Sequence, residues 1–372
     1  MLNWVNETIE KLDKKLSRTS VEYKNMIPYT VDENGKFIVS DRKRTNWWTN
    51  GFWGGLMWIM YKNTGKQCYM DAAKSNELML DEAFKEYDKL DHDNGFLWEL
   101  TSGFSYEITG DETSRLRMLY AAETLAGRYN ILGGYINAWN GVDKQGWAII
   151  DCMLNLPLLY KASDITGYER FKYIAMAHAD KTMQYHVRPD GSVNHIVIYD
   201  IHTGEFIETL GGQGMCEGSS WSRGQSWAVY GFALSYKHTG KQEYLDTAKR
   251  VAHYFIANVS NTDYIPKTDF RSPDEPEYYD TSAGMAAAAG MLEIAEHVPE
   301  FEKNLYVNSA YKILKATVDK YADWSDDYDG VIKNGMDRYI KKDVNRGAIM
   351  HLIYGDYYFA DALYKLKEYL EK

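Results

Sequence analysis

Two aspartates stand out by the company they keep. Asp151 lies in GWAIIDCMLNLPLLY, residues 146–160, flanked by Ile149, Ile150, Cys152 and Met153. A carboxylate among apolar neighbours is costly unless it is paired or functional. Burial there raises its pKa, while a place in the opening turns of a helix lowers it. A proton donor needs the first effect to win, or a second carboxylate nearby. Asp93 lies in LDHDNGFLWEL, residues 90–100. Asp-Asn-Gly is a turn or helix-entry signal, so Asp93 reads equally well as a backbone cap, and Asp91 offers the same choice. If the two meet in one cleft, general acid–base chemistry is within their reach.

Polar and flat side chains that could handle a ligand gather elsewhere. GGQGMCEGSSWSRGQSW, residues 211–227, carries Gln213, Glu217, Trp221, Arg223 and Gln225. Arg223 suits bidentate binding of a carboxylate, and it suits equally an internal ion pair with Asp151 or Glu217. Ser219 or Ser220 could cap the helix that follows. His195 sits on an extended insertion as a donor, and Trp47 and Trp48 precede TNGFWGG as a stacking wall. His92 between Asp91 and Asp93 invites a cation. Adjacent side chains seldom converge without a third partner, so neither metal nor cofactor is expected. GxGxxG, P-loop, HExxH and GxSxG patterns are all missing.

The elements that must position these groups repeat. Four apolar, helix-like stretches end in the same dipeptide: Thr64-Gly65, Thr109-Gly110, Thr166-Gly167 and Thr239-Gly240. A more amphipathic stretch follows each. Glycine closes the first helix and the next begins at once, which makes a helical hairpin. Inner helices are expected at about 51–63, 96–107, 147–163, 223–238, 282–297 and 346–367. They are apolar or small on nearly every side, as buried helices are. The outer helices between them have polar faces. In the one around 168–186, Tyr173, Met176 and Ala177 recur at helical spacing. With the N-terminal helix the alternation closes at about twelve, predicting an all-α ring of six hairpins. An open solenoid is the alternative. The insertions fall opposite the Thr-Gly ends, as an elaborated mouth would. Two read as extended: GSVNHIVIYDIHTGEFI from Gly191, and GVIKNGMDRYIKKD from Gly330. A single domain over residues 1–372 is expected.

Composition narrows the partners. A net charge of −11 with no basic stripe disfavours nucleic acid. No apolar run approaches the ~18 residues of a membrane span. The amphipathic start lacks an apolar signal core, and Cys68, Cys152 and Cys216 show no zinc spacing. A cytoplasmic protein is expected. The 11 Trp and 31 Tyr fit a groove that stacks on sugars.

Five segments in order, WWTNGFWGG, LDHDNGF, IIDCMLNLPLLY, SSWSRGQSWAVYGFALSY and YGDYYFADAL, resemble the unsaturated glucuronyl hydrolases, including those of the unsaturated chondroitin disaccharide type. The resemblance implies an (α/α)6 barrel in the cytoplasm, with short β-hairpins at its mouth. It implies a substrate made by polysaccharide lyases: unsaturated uronyl disaccharides and short oligosaccharides of glycosaminoglycans. It assigns catalysis to Asp151 and Asp93 and the sugar's surroundings to Trp48, His195, Gln213 and Arg223; Trp221, from the same stretch as Gln213 and Arg223, is a further substrate-binding candidate. The chemistry it implies is hydration of a vinyl ether, with protonation at C4 and water addition at C5. Two positions depart from the family: Asn50, where Asp is frequent, and Gly212, where a basic residue can precede the glutamine. The nearest rival is the related family acting on unsaturated galacturonyl-rhamnose from pectin. A non-catalytic acidic-sugar-binding protein is the reading of another class. The sequence does not indicate the oligomeric state.

Overall fold

The protein, seen in a computed structural model, is described over residues 1–40, 44–340 and 349–372. Its helices are α1 Leu2–Glu22, α2 Phe52–Thr64, α3 Gln67–Leu80, α4 Phe104–Thr109, α5 Glu112–Ala126 and α6 Leu156–Thr166. They continue as α7 Glu169–Tyr185, α8 Ser222–Thr239, α9 Gln242–Val259, α10 Thr281–His297, α11 Glu300–Tyr321 and α12 Ile353–Glu371. The inner layer runs α2, α4 with the π-helical segment before it, α6, α8, α10, α12 and back to α2, so the ring closes. Outer partners are α3, α5, α7, α9 and α11, and α1 completes the set by packing on α3 and α12. Residues Thr281–Ala295 of α10 are buried on every side. Its small residues let α8 come close: a Cβ on Gly290 would stand 2.8 Å from the Tyr230 Cα.

The Thr-Gly hairpins share one geometry. Gly65, Gly110, Gly167 and Gly240 all adopt φ near +70°, the left-handed conformation that glycine takes without steric cost. Each glycine N–H returns to the carbonyl four residues back, at 2.7–2.8 Å. Each threonine hydroxyl donates to its own i−4 carbonyl and accepts the N–H two residues on, as Thr166 does from Tyr168. The fifth hairpin lacks this device and turns through Val298 and Pro299.

Among the described residues, four small antiparallel sheets stand at the other end. They are β1 Pro28–Val31 with β2 Phe37–Val39, and β3 Tyr129–Asn130 with β4 Tyr135–Ile136. A three-stranded sheet follows from β5 Trp147–Ile149, β6 Ile196–Tyr199 and β7 Phe206–Leu210. Last, β8 Gly335–Met336 pairs with β9 Ile349–Met350. Both extended insertions therefore form strands. Residues 341–343 of the second, and 346–348 of the expected sixth inner helix, lie outside the described residues.

Several expectations need correction. The sixth inner helix begins only at Ile353 and runs on to Glu371. The second is a π-helix over Gly95–Gly103 that passes into α4. The third is shorter than expected: residues 147–149 pair with β6, and a 3₁₀ turn over Ile150–Leu154 precedes α6. Asp151 thus sits in that turn and not in an α-helix. Neither Ser219 nor Ser220 caps α8, whose N-cap is Trp221. On α7 the buried face is Phe171, Ala175, His178, Ala179 and Thr182, whereas Tyr173 is exposed. Among the described residues, no helix is long and apolar enough to cross a membrane.

Candidate active site

The turn before the π-helix and the 3₁₀ turn after β5 are fastened by one residue. Asn155 donates through Nδ2 to Asp93 Oδ1 (3.1 Å) and to the Asp151 carbonyl (3.4 Å), and its Oδ1 accepts the Phe96 N–H (2.8 Å). Gly95 is needed for close approach, since a Cβ there would stand 2.4 Å from the Asn155 Cα. Asp91 turns its Oδ1 to the Asp93 N–H at 2.9 Å, so Asp91 is the backbone cap and the Asp93 carboxyl is left for other use.

His195 reaches Asp151 from the three-stranded sheet. The Ile150 N–H donates to the His195 carbonyl (3.0 Å), and His195 Nδ1 accepts the Gln213 N–H (2.9 Å). A ring nitrogen that accepts carries no proton, so in the neutral ring Nε2 holds it. That Nε2 lies 3.3 Å from Asp151 Oδ2, off the line of a full hydrogen bond. His92 stands on the other side, its Nε2 3.6 Å from Asp93 Oδ2. Trp221 packs on the His195 ring at 4.6 Å between centroids.

The two carboxyls are pulled apart. Burial, then the charges of Asp91 and Asp151, push Asp93 well above the usual carboxylate range. Burial also pushes Asp151 up, but the His195 N–H, with His92 and Arg223 behind it, outweighs this and leaves it below its ordinary value. The apolar sequence neighbours of Asp151 point the other way. The decisive partner, His195, arrives from a distant segment. Burial raises Asp91 to about 6 and lowers His92 to about 3, so His92 is neutral at working pH. Of the two, Asp93 therefore keeps its proton to higher pH. Pairs of acids pushed apart in this way divide acid and base roles.

Trp48 is half-buried in an aromatic wall, 4.9 Å from Tyr354 and 5.7 Å from Phe96 between centroids. Arg223 is fully buried and pairs with neither Asp151 nor Glu217. Its Nη1 donates to Asp280 Oδ2 (2.6 Å) and the Met336 carbonyl, and its Nη2 to the Asp337 carbonyl. Gln213 holds the same segment: its Nε2 donates to the Asp337 carbonyl (2.6 Å), and its own carbonyl accepts the Tyr339 N–H (2.8 Å). Asp280 and Asn155 escaped sequence reading. Asn155 stands one helical turn past Asp151, and Asp280 has an N-cap's place before α10, where it accepts the Ser282 N–H (3.1 Å).

Both departures from the family have a local cause. Asn50 donates through Nδ2 to the carbonyls of Arg44 (2.8 Å) and Thr45 (3.1 Å), which an ionised Asp could not do. Gly212 has φ +56°, and a Cβ there would stand 1.9 Å from His195 Nδ1. Among the described residues, Asp91, His92 and Asp93 are the one set with metal-ligand spacing, their donor atoms within 4.8 Å of one another. Asp93 Oδ1 and Asp91 Oδ1 already have the N–H partners described above.

Comparison with known proteins gives one consistent answer. The profile of Glycosyl Hydrolase Family 88 matches residues 22–358. The unsaturated glucuronyl hydrolase of Bacillus sp. (strain GL1) is 35% identical over 362 residues, covering 94% of this chain and 93% of that protein. The unsaturated chondroitin disaccharide hydrolase of Streptococcus pneumoniae is 30% identical over 367 residues, covering 96% and 91%. The crystal structure of the Bacillus sp. GL1 unsaturated glucuronyl hydrolase superposes with a TM-score of 0.91 at 33% identity, over 98% of this chain and 97% of that one.

Proposed function

The chain belongs to glycosyl hydrolase family 88, and we propose that its chemistry is carried by Asp151 as acid then base, with Asp93 as its partner. The protein is a hydrolase that releases a 4,5-unsaturated uronic acid from glycosaminoglycan-derived oligosaccharides, and its ring is the (α/α) toroid of its relatives. We read residues 1–372 as one catalytic domain. The observation that carries the residue assignment is the opposite pull on the carboxyls of two residues that Asn155 ties together, by the Asp93 carboxylate and the Asp151 main-chain carbonyl.

In the free enzyme a proton is held more tightly by Asp93 than by Asp151. An incoming uronate adds negative charge and excludes water, and both effects raise carboxylate pKa values. Asp151 then takes the proton and gives it to C4 of the double bond. The π electrons form the new C–H bond, and positive charge spreads over C5 and the ring oxygen. Water adds at C5 and returns a proton to Asp151. The resulting hemiketal opens to a ketone at C5, and the hemiacetal left at C1 expels the leaving sugar. His195 orients Asp151, Trp48 and Trp221 flank the sugar, and Gln213 and Arg223 meet its polar groups. The proposed compartment is the cytoplasm, where three free cysteines fit a reducing setting.

The test uses lyase-made disaccharides of chondroitin, heparin, hyaluronan and pectin. Turnover is read as loss of the ultraviolet absorbance of the double bond, which mere binding leaves intact. In heavy-oxygen water the label is expected at C5. Label at the anomeric carbon would mean ordinary two-carboxylate glycoside hydrolysis and end the proposal. Turnover of the pectin disaccharide alone would favour the rival family's substrate.

A further inference from the structure

Along the buried face of α7, three polar atoms are without a partner among the described residues. His178, Thr182 and His186, which follows the end of the helix, are spaced four apart, so they stack along one line. All three are almost completely buried. Among the described residues, His178 Nε2, Thr182 Oγ1 and His186 Nε2 find no hydrogen-bond partner. Thr64, Thr109, Thr166 and Thr239 turn their hydroxyls back onto their own helix, and Thr182 does not. Buried polar groups in native proteins are nearly always satisfied, by water when not by protein.

The tautomers assign a direction to the missing bonds. His178 Nδ1 accepts the Ile136 N–H (2.9 Å), so its Nε2 carries a proton and is a donor. His186 Nδ1 faces the Asn194 carbonyl (3.0 Å), so it carries the proton there and its Nε2 is an acceptor. Burial lowers His178 to about 3 and His186 to about 4, which keeps both rings neutral. Between donor and acceptor stands a hydroxyl able to do both. Four helical residues rise about 6 Å, which is the span of two hydrogen bonds through one water.

We propose that His178, Thr182 and His186 bind two ordered waters in a directed chain, and that this hydrated spine positions the imidazoles flanking Asp93 and Asp151. One water accepts from His178 and donates to Thr182. The other accepts from Thr182 and donates to His186. At the upper end, His186 is tied to Asn194, which immediately precedes His195: the Asn194 N–H donates to the His186 carbonyl at 2.8 Å. At the lower end, His178 holds Ile136, and the nearby Ala138 carbonyl accepts the His92 N–H at 3.1 Å. The spine thus braces both strands that set the two histidines. These are positioning residues: their effect on turnover rests on the function proposed above, while the waters themselves do not.

A crystal structure at high resolution is expected to show two waters, each about 3 Å from its two partners. Empty space, or direct bonds among the three side chains, would overturn the site. Thr182→Val keeps the shape and removes the relay, and is expected to lower kcat about five-fold with KM unchanged. Thr182→Ser restores it. A Val variant with the parent's kcat, or a Ser variant no better than Val, would overturn the positioning role. Full activity in Asp151→Asn would sink the acid assignment and leave the waters standing.

Discussion

The two ends of the ring solve different problems. At the Thr-Gly end one turn is used four times, with the same left-handed glycine and the same pair of threonine hydrogen bonds. At the mouth each unit differs: a π-helix follows Asp93, a 3₁₀ turn holds Asp151, and a sheet brings His195. The lower turns join neighbours in sequence and need only local chemistry. The mouth must bring distant segments to one point, and it gives up helical regularity to do so. Irregular π segments often mark such places.

The largest effect that would sharpen this contrast is at Asp151. Asp151→Asn is expected to lose about 10²–10⁴ of turnover while the helical circular dichroism is kept. Substantial residual activity would remove the contrast at its strongest point. Asp93→Asn should also lose turnover, but its stability carries the sharper signature. Folding raises the Asp93 pKa, so its contribution is most favourable below the unfolded value, about 3.9, and is lost as pH climbs through the folded value. The Asn variant should melt above the parent at neutral pH, and the gap should close toward pH 4. Asp151 is depressed, so Asp151→Asn should show the reverse: a stability loss at neutral pH that fades as acid removes the parent's advantage. Equal behaviour of the two in melts across pH would erase the division between them. The smallest effect belongs at the other end. Gly240→Ala should cost about 1–2 kcal/mol of stability and leave kcat untouched, because an L-residue must hold the left-handed turn. A change in kcat there would mean that the two ends are not independent.

The same division explains what could be read in the sequence. The buried inner helices and their Thr-Gly ends are written in local pattern, and the structure has them, though the third starts only at Leu156 and the sixth at Ile353. The π segment at Gly95–Gly103 is apolar like its neighbours, so no period distinguishes it. Residues 147–149 look helical until β6 claims them as a strand. On α7, exposed Tyr173 and buried His178 invert what polarity leads one to expect. Asp93 and Asp151 are legible as candidates from their neighbours, and the joint role proposed for them is what the family resemblance implies. Asn155, Asp280 and the direction of the Asp151 shift depend on contacts between segments far apart in the chain.

Gly212 has a further consequence. With no room between its Cα and the ring of His195, a larger side chain at this position would have to displace that ring, whose Nε2 faces Asp151. The backbone at residue 212 and the setting of the Asp151 carboxyl are therefore coupled through one imidazole. Any side chain introduced at residue 212 must be accompanied by a compensating change around the imidazole.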